Sequence, residues 1–450
     1  MSRYRKIQLI YIAADILSAV AVWLLFLLFR WLVYEGRIFS ADTVLIPAFN
    51  LWRFMILYPI GCLVVYYLSG YYIRPLQQRP LQEALTTFMC ACIISLGAFF
   101  IIIIDDSVDN YERYYVSLLV LLTLQFLLSW LPRLIITLIV QSADDGRMNT
   151  VIIGDGKAAE RLMKVLTEER RVVAVLPTDK IEEVHRLRKE KSVDEVIVAL
   201  GKKEDEQELY RIINRLYPER VQISFPASVY DMLTGAARIS NLEGEPLVTV
   251  TAPSMADWQM CFKRAFDVVS SAFSLLLLSP LMALIAVLVR VSSKGKVIYR
   301  QERIGKYGNP FYIYKFRTMV EDAEQDTPML SAADDPRITP VGHWLRKYRL
   351  DELPQFWNIL KGDMSVVGPR PERQYYIDKI AERAPYYCLL YKIRPGLTSW
   401  GPIRVGYTDT LDKMIQRLNY DIVYMENMSL RLDLKIMLFT IKVLVDGKGQ

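Results

Sequence analysis

Histidine is almost missing from this 450-residue chain, with only His185 and His343 present. They lie far apart and cannot by themselves support a His-based metal site. Cysteine is also scarce. Cys62, Cys90, Cys92, Cys261 and Cys388 show no zinc-type spacing, and Cys90 and Cys92 fall inside an apolar run. All five read as reduced core residues of a cytosol-facing protein. The N-terminal apolar run follows basic residues but lacks a small-residue cleavage site. It is too long for a signal-peptide core, so a retained helix is expected. Strong net charge is missing too. A formal +6 suits anionic headgroups or phosphorylated substrates and does not by itself indicate nucleic acid.

Apolar residues are abundant. They make up 52% of the chain, the mean hydropathy is positive, and they cluster in the N-terminal third and near 265–290. Such clustering marks membrane segments, and the length calls for two or three domains. Four stretches, near 8–32, 50–70, 84–104 and 114–140, are long enough to cross a bilayer and predict an α-helical four-span bundle over 1–145. Arg3, Arg5 and Lys6 precede the first span, and Arg74 and Arg79 separate the second and third. The next loop is acidic, with Asp105, Asp106, Asp109 and Glu112. The positive-inside rule then puts both ends of the bundle in the cytoplasm. Arg133 interrupts the last span and reads as an earlier end or a snorkelling side chain.

A fifth apolar run, 263–291, carries basic residues on both flanks: Lys263 and Arg264 before it, then Arg290, Lys294, Lys296 and Arg300. Crossing would carry the second group outside, which the charges oppose. Ser279-Pro280 lies mid-run, where proline removes a helix hydrogen bond. The expectation is a re-entrant helix that bends there and returns to the same face. A straight fifth span with a tolerated proline is the competing reading.

From about 148 the periodicity changes. NTVIIGDGKAAERLMKVL reads as strand, glycine turn and helix, and DEVIVAL, QISFP and LVTVT read as further buried strands. A Rossmann-like parallel α/β domain is expected over 146–255. Its turn carries Gly154-x-Gly156-x-x-Ala159, a partial dinucleotide fingerprint. VVAVLP ends without the ribose-binding acid, so glycines serving a tight turn explain the pattern better than a nucleotide. Regulation or oligomer contact is the expected role.

The remaining domain, 256–450, carries the chemistry. VIYRQERIGKYGNPFYIYKFRTM reads as a β-hairpin turning at Gly308-Asn309-Pro310. Lys315 and Arg317 share one face of an extended strand and could clamp a diphosphate or line a lipid-headgroup patch. In LDELPQFWNILKGDMSVVGPRP, Leu353, Phe356, Trp357 and Leu360 are spaced as one apolar helix face closed by Gly362. Asp351 and Glu352 stand at its start. Asp351 could be a simple N-cap. Yet Arg346, Lys347 and Arg349 lie upstream and Arg370 and Arg373 downstream, so a carboxylate here should have a depressed pKa. An ionised Asp can attack phosphorus, and a neighbouring Glu can hold a hard Mg²⁺.

The series KRAFD, Ser-Pro in an apolar run, YRQERIGKYG, KFRTM, DDPRITPVG, RLDELPQFWNILKGDMSVVGPRPE and RPGLTSWG resembles the bacterial sugar transferase family over roughly 260–447. These are the monotopic phosphoglycosyl transferases, and the preceding spans and α/β domain resemble its long form, found in exopolysaccharide, capsule and O-antigen initiation. The resemblance implies a multi-pass protein of the bacterial inner membrane with a cytoplasmic, α/β monotopic catalytic domain. It implies transfer of a hexose-1-phosphate from a UDP-sugar to undecaprenyl phosphate. Asp351 would form a phosphosugar-aspartyl intermediate, releasing UMP, and Glu352 would ligate Mg²⁺. Lys315, Arg317, Arg337, Arg370, Arg394 and Arg404 would bind substrate, and Ser279-Pro280 matches the break of the re-entrant helix. Self-association as a homodimer is expected. The chain departs from the family after RPGLTSWG, where Pro402 replaces a common Gln, so sugar choice stays open. The alternative functions are a non-catalytic sensor or scaffold of polysaccharide assembly, and an NAD-dependent oxidoreductase resting on the glycine motif alone.

Overall fold

The computed structural model describes residues 3–33, 48–72, 80–105, 111–143, 148–154, 157–166, 170–199, 206–227, 247–251, 254–320, 335–406 and 410–445. Arg74, Arg79, Asp106, Asp109 and Gly156, on which some expectations rest, lie outside them. The chain forms two compact units, 1–147 with 256–262 and 148–255 with 263–450.

The first unit contains α1 (Arg3–Val33), α2 (Ala48–Leu68), α3 (Pro80–Asp105) and α4 (Tyr111–Ala143). Stretches of α1, α3 and α4 are long and apolar enough to cross a membrane, whereas the described apolar part of α2, Phe54–Leu68, is shorter. Val22, Trp23, Phe26, Tyr58, Cys62 and Tyr66 pack inward, and outward-facing residues such as Leu17, Leu119 and Ile139 stay exposed, as a lipid-facing surface requires.

Arg133 corrects the sequence reading. It neither ends α4 nor snorkels. Its side chain is fully buried, and its Nε and Nη2 donate to Asp15 at 2.8 and 2.9 Å. Nη1 donates to Thr87, and the guanidinium lies 3.9 and 3.8 Å from the ring centroids of Tyr66 and Tyr71. The Tyr72 hydroxyl donates to Asp15, while Tyr71 and Thr137 donate to Glu83. A cation can remain within an apolar bundle when a carboxylate and ring faces replace its water. Asp15→Ala should strand the buried guanidinium and cost about 3–5 kcal/mol. Asp15→Ala combined with Arg133→Leu should cost much less. Thermal unfolding of the full-length variants in nanodiscs checks this; equal losses in both would show that the pair does not hold the bundle.

The second unit begins with a five-stranded sheet of β1 (Asn149–Ile153), β2 (Arg171–Leu176), β3 (Glu195–Val198), β4 (Gln222–Pro226) and β5 (Leu247–Thr249), in the order β2-β1-β3-β4-β5. Helices α5 (Lys157–Leu166), α6 (Glu183–Lys191) and α7 (Glu206–Leu216) connect β1 to β4. Strands β1 to β4 are parallel, but β5 runs antiparallel to β4, which corrects the all-parallel expectation. This strand order is that of doubly wound 2-1-3-4-5 folds. A Cβ on Gly154 would approach the Ala199 carbonyl oxygen to 2.3 Å, so that glycine allows β1 and β3 to close together.

Helix α8 (Asp257–Ser292) runs without interruption through Ser279-Pro280. Pro280 cannot donate to the carbonyl four residues back, Leu276. The Ser279 hydroxyl donates to that oxygen instead, at 2.8 Å. After α8 come the antiparallel hairpin β6 (Ile298–Ile304) and β7 (Pro310–Phe316), α9 (Pro340–Lys347), α10 (Gln355–Lys361), and a parallel pair of β8 (Ser365–Val367) and β9 (Gly396–Thr398). Between β8 and β9 stand α11 (Gln374–Arg383) and a 3₁₀ segment, Pro385–Lys392. The unit closes with α12 (Trp400–Val405), α13 (Leu411–Glu426) and α14 (Leu430–Val445).

Candidate active site

Asp351 and Glu352 lie in a 3₁₀ turn, Leu350–Glu352, entered through Arg349 in the left-handed region at φ 53°. Pro354, not Asp351, occupies the N-cap position of α10, so capping does not explain the acid. Both carboxylates are buried. Glu352 accepts three cations: Lys315 at 2.7 Å from the end of β7, Arg349 at 3.4 Å and Arg370 at 3.5 Å.

The two acids titrate in opposite directions. Burial pushes the Asp351 carboxyl above its ordinary range and Glu352 adds to the rise, against Lys315, Arg346 and Arg349. Burial also penalises the Glu352 anion, but Lys315, Arg370 and Arg349 outweigh it and hold that carboxyl below its ordinary range. Adjacent carboxylates share protons unequally; here Glu352 is the anion and Asp351 keeps the proton more readily. The expectation of a depressed pKa therefore holds for Glu352 and fails for Asp351, where desolvation wins.

The KRAFD segment at the base of α8 fixes this geometry. Arg264 donates to the carbonyls of Ile359 and Leu360, at 2.8 and 3.1 Å, and so caps the end of α10. Gly362 ends that helix at φ 94°. Asp267 accepts the Val366 amide, and Lys263 donates to the Val367 carbonyl and to Asp433. Asn358 holds β7 through the Tyr314 amide and the Tyr312 carbonyl. The predicted apolar face of α10 is not its buried face. Gln355, Asn358 and Ile359 are buried, while Trp357 is 55% exposed. Trp344, Tyr348 and Tyr312 are also exposed; aromatics with polar tips suit a membrane interface.

The other predicted cations engage different partners. The Arg317 guanidinium donates to the Ser293 carbonyl and hydroxyl, at 2.8 and 2.9 Å, so Lys315 and Arg317 do not clamp one group together here. Arg337 is held by Asp335, Arg394 donates to the Gly362 carbonyl, and Arg404 stacks over Trp400 at 4.8 Å. Asp421, which the sequence placed only in the region after Pro402 that bears on nucleotide or sugar choice, is buried and accepts the Ser399 hydroxyl at 2.5 Å and the amides of Gly401 and Arg370. It ties the Arg370 loop to the start of α12. Its position in a helical pattern gave no sign of this, because the partners come from loops distant in sequence.

Among the described residues no three His, Cys, Asp or Glu side chains cluster, so a fully protein-made Mg²⁺ cage is ruled out there. Mg²⁺ commonly takes one or two carboxylates plus phosphate oxygens and water. An anionic Glu352, whose Oε2 bears a 3.4 Å contact to Arg349, fits that pattern.

Buried paired acids and three cations thus stand together on a frame tied to a long apolar helix. The family model for bacterial sugar transferases matches residues 258–447. A UDP-N-acetylgalactosamine-undecaprenyl-phosphate N-acetylgalactosaminephosphotransferase of Aeromonas hydrophila is 34% identical over 256 residues, 57% of this chain and 60% of that protein. A UDP-glucose:undecaprenyl-phosphate glucose-1-phosphate transferase of Klebsiella pneumoniae is 35% identical, covering 56% of this chain and 54% of that protein. In both, less than two thirds of the relative is spanned. A protein of the latter name from Caulobacter vibrioides is 43% identical over 187 residues, 41% of this chain and 69% of that protein. The chain belongs to the bacterial sugar transferase family.

Burial raises the Asp421 carboxyl to about 6, against the Ser399 bond, Arg417 and the amides of Gly401 and Arg370. A carboxyl raised on folding contributes stability that is complete below its unfolded pKa and lost as pH rises through about 6. Asp421→Asn removes that dependence. The Tm of the variant relative to the parent should therefore climb between pH 5 and 8; a flat difference would show that Asp421 does not titrate there.

Proposed function

We propose that this chain transfers a sugar-1-phosphate from a UDP-sugar to undecaprenyl phosphate at the inner face of the bacterial cytoplasmic membrane, as the first membrane step of surface polysaccharide synthesis. The observation that carries this is the division of labour in the dyad. Glu352 is neutralised by Lys315, Arg349 and Arg370, and Asp351 has no ion pair of its own among the described contacts. The relatives' names supply the substrate classes.

In this reading the cations around Glu352 receive the diphosphate, and Arg370 is the phosphate-binding arginine. A carboxylate oxygen of Asp351 attacks the phosphorus that bears the sugar. The bond to the bridging oxygen breaks, and UMP leaves with the electron pair. An oxygen of undecaprenyl phosphate then attacks the same phosphorus and restores the Asp351 carboxylate. Preorganised cations stabilise the charge that builds on the phosphoryl oxygens. Mg²⁺ held by Glu352 and the diphosphate would add positive charge beside Asp351 and favour its ionised form. The re-entrant reading of 263–291 is retained on the basic flanks alone, since α8 shows no break at Pro280. The homodimer belongs to the same reading and is checked by the mass of nanodisc-embedded particles.

UMP release from UDP-glucose and UDP-N-acetylgalactosamine, with and without undecaprenyl phosphate, tests the whole reading; no release from either would refute it for these donors. Asp351→Asn should abolish turnover and the covalent phosphosugar adduct seen by mass spectrometry, because the amide is a poor nucleophile of similar shape. Glu352→Gln should shift the Mg²⁺ dependence to higher concentration, and an unchanged titration would remove Glu352 from the metal site. A cysteine at Lys296 should be labelled only from the cytoplasmic side. Labelling from outside alone would overturn re-entrance.

A further inference from the structure

The α/β domain and the catalytic domain share one hydrophobic core. Ile212, Ile213, Leu216 and Tyr217, at the end of α7, are buried in the same cluster as Tyr387, Cys388, Leu390 and Tyr391 of the 3₁₀ segment Pro385–Lys392. The Tyr217 ring meets Tyr391 edge-on at 6.0 Å, and Tyr391 meets Tyr387 in the same way. Tyr210 packs against Tyr386, and the Cys388 thiol donates to the Tyr210 carbonyl. Beside this contact, the Arg220 guanidinium lies 5.2 Å from the ring of Tyr307 in the β6–β7 turn. Arg220 and Tyr307 both adopt left-handed backbone, at φ 56° and 64°. Non-glycine residues hold that conformation only where their surroundings impose it.

What this contact braces is the substrate-binding loop. Tyr387, Leu390 and Tyr391 line one small cavity together with Pro369, Arg370 and Pro371. The Gly396 amide donates to the Pro369 carbonyl, and the Ile304 amide donates to the Glu372 carbonyl. The loop is therefore bonded to β9 and β6 and shares a cavity with the 3₁₀ segment, and that segment and the β6–β7 turn rest on the end of α7 and the turn after it.

We propose that the α/β domain is a brace for the catalytic centre, and that Tyr217 is a positioning residue that sets the Gly368–Pro371 loop and, through it, Arg370. This rests on the reading of Arg370 as a phosphate-binding residue. The Tyr217 ring provides the contact, because its hydroxyl is buried and bonds to nothing among the described residues. A loop displaced by a fraction of an ångström weakens donor binding without touching the nucleophile.

The test uses the full-length protein in nanodiscs, with undecaprenyl phosphate and the better of UDP-glucose and UDP-N-acetylgalactosamine. Tyr217→Ala should raise the donor KM about 10-fold to 100-fold and leave the KM for undecaprenyl phosphate unchanged. Tyr217→Phe should match the parent. In an Arg370→Lys background, Tyr217→Ala should change the donor KM by less than about twofold, because both act on one contact. Amide exchange at Gly396 and Ile304 should quicken in Tyr217→Ala and not in Tyr217→Phe. If Tyr217→Ala does not fold, Arg220→Ala is read in the same way, with a smaller rise in donor KM. Independent, multiplying effects in the double variant would overturn the brace. So would an unchanged donor KM together with unchanged exchange. If the parent turns over neither donor while exchange still responds, the transferase reading falls and the brace stands.

Discussion

Two neighbouring carboxylates cannot both be buried and ionised without cations close by, and the catalytic domain is organised around meeting that condition for one of them. Glu352 draws Lys315 from the hairpin, Arg349 from the turn before it and Arg370 from the loop after β8. Each cation belongs to a different segment, so the ion cluster is also the point where those segments meet. Losing one partner of such a cluster exposes the others to uncompensated burial. The same asymmetry separates the two acids chemically. Glu352 is committed to cations, and Asp351, beside it, is left to react.

The frame that holds this cluster is mostly backbone-directed. Arg264 bonds the last carbonyls of α10, Asp267 takes the Val366 amide, and Asp421 takes the amides of Gly401 and Arg370. A side chain bonded to a carbonyl or an amide fixes the position of a chain segment whatever residues that segment carries. The base of α8 is thereby tied to the segment that follows the dyad, at the end of α10 and along β8. Charged side chains at the end of an apolar helix are usually explained as lipid anchors. Here Lys263, Arg264 and Asp267 also join that helix to the chemistry.

Much of this was legible in the sequence, and the failures share a cause. Long apolar runs, the strand that ends at Gly154, the hairpin and Gly362 were readable because each depends on local pattern. Arg133 was misread because its partners, Asp15, Tyr66 and Tyr71, come from α1 and from the end of α2 and the residues just after it, and no local pattern announces them. The apolar face of α10 was read as a face, but the structure buries Gln355, Asn358 and Ile359 and leaves Trp357 exposed. Periodicity shows that a helix has two sides, but a domain at a membrane can turn either one inward. Asp351 was misjudged because a count of nearby arginines in sequence ignores desolvation, which decides the direction at a buried carboxyl.

The family resemblance covers the catalytic domain, whereas the shared core of the second unit joins that domain to the α/β sheet. A sheet that braces through its outer face needs a rigid interior and a close strand approach, which Gly154 supplies against Ala199. Its useful surface is then α7 with the turn at Tyr217–Arg220, on which the Pro385–Lys392 segment lies. Doubly wound folds usually work at the carboxyl ends of their strands. In this chain a helix and the turn leading into β4 reach the catalytic domain among the described residues, so the brace we propose works through packing.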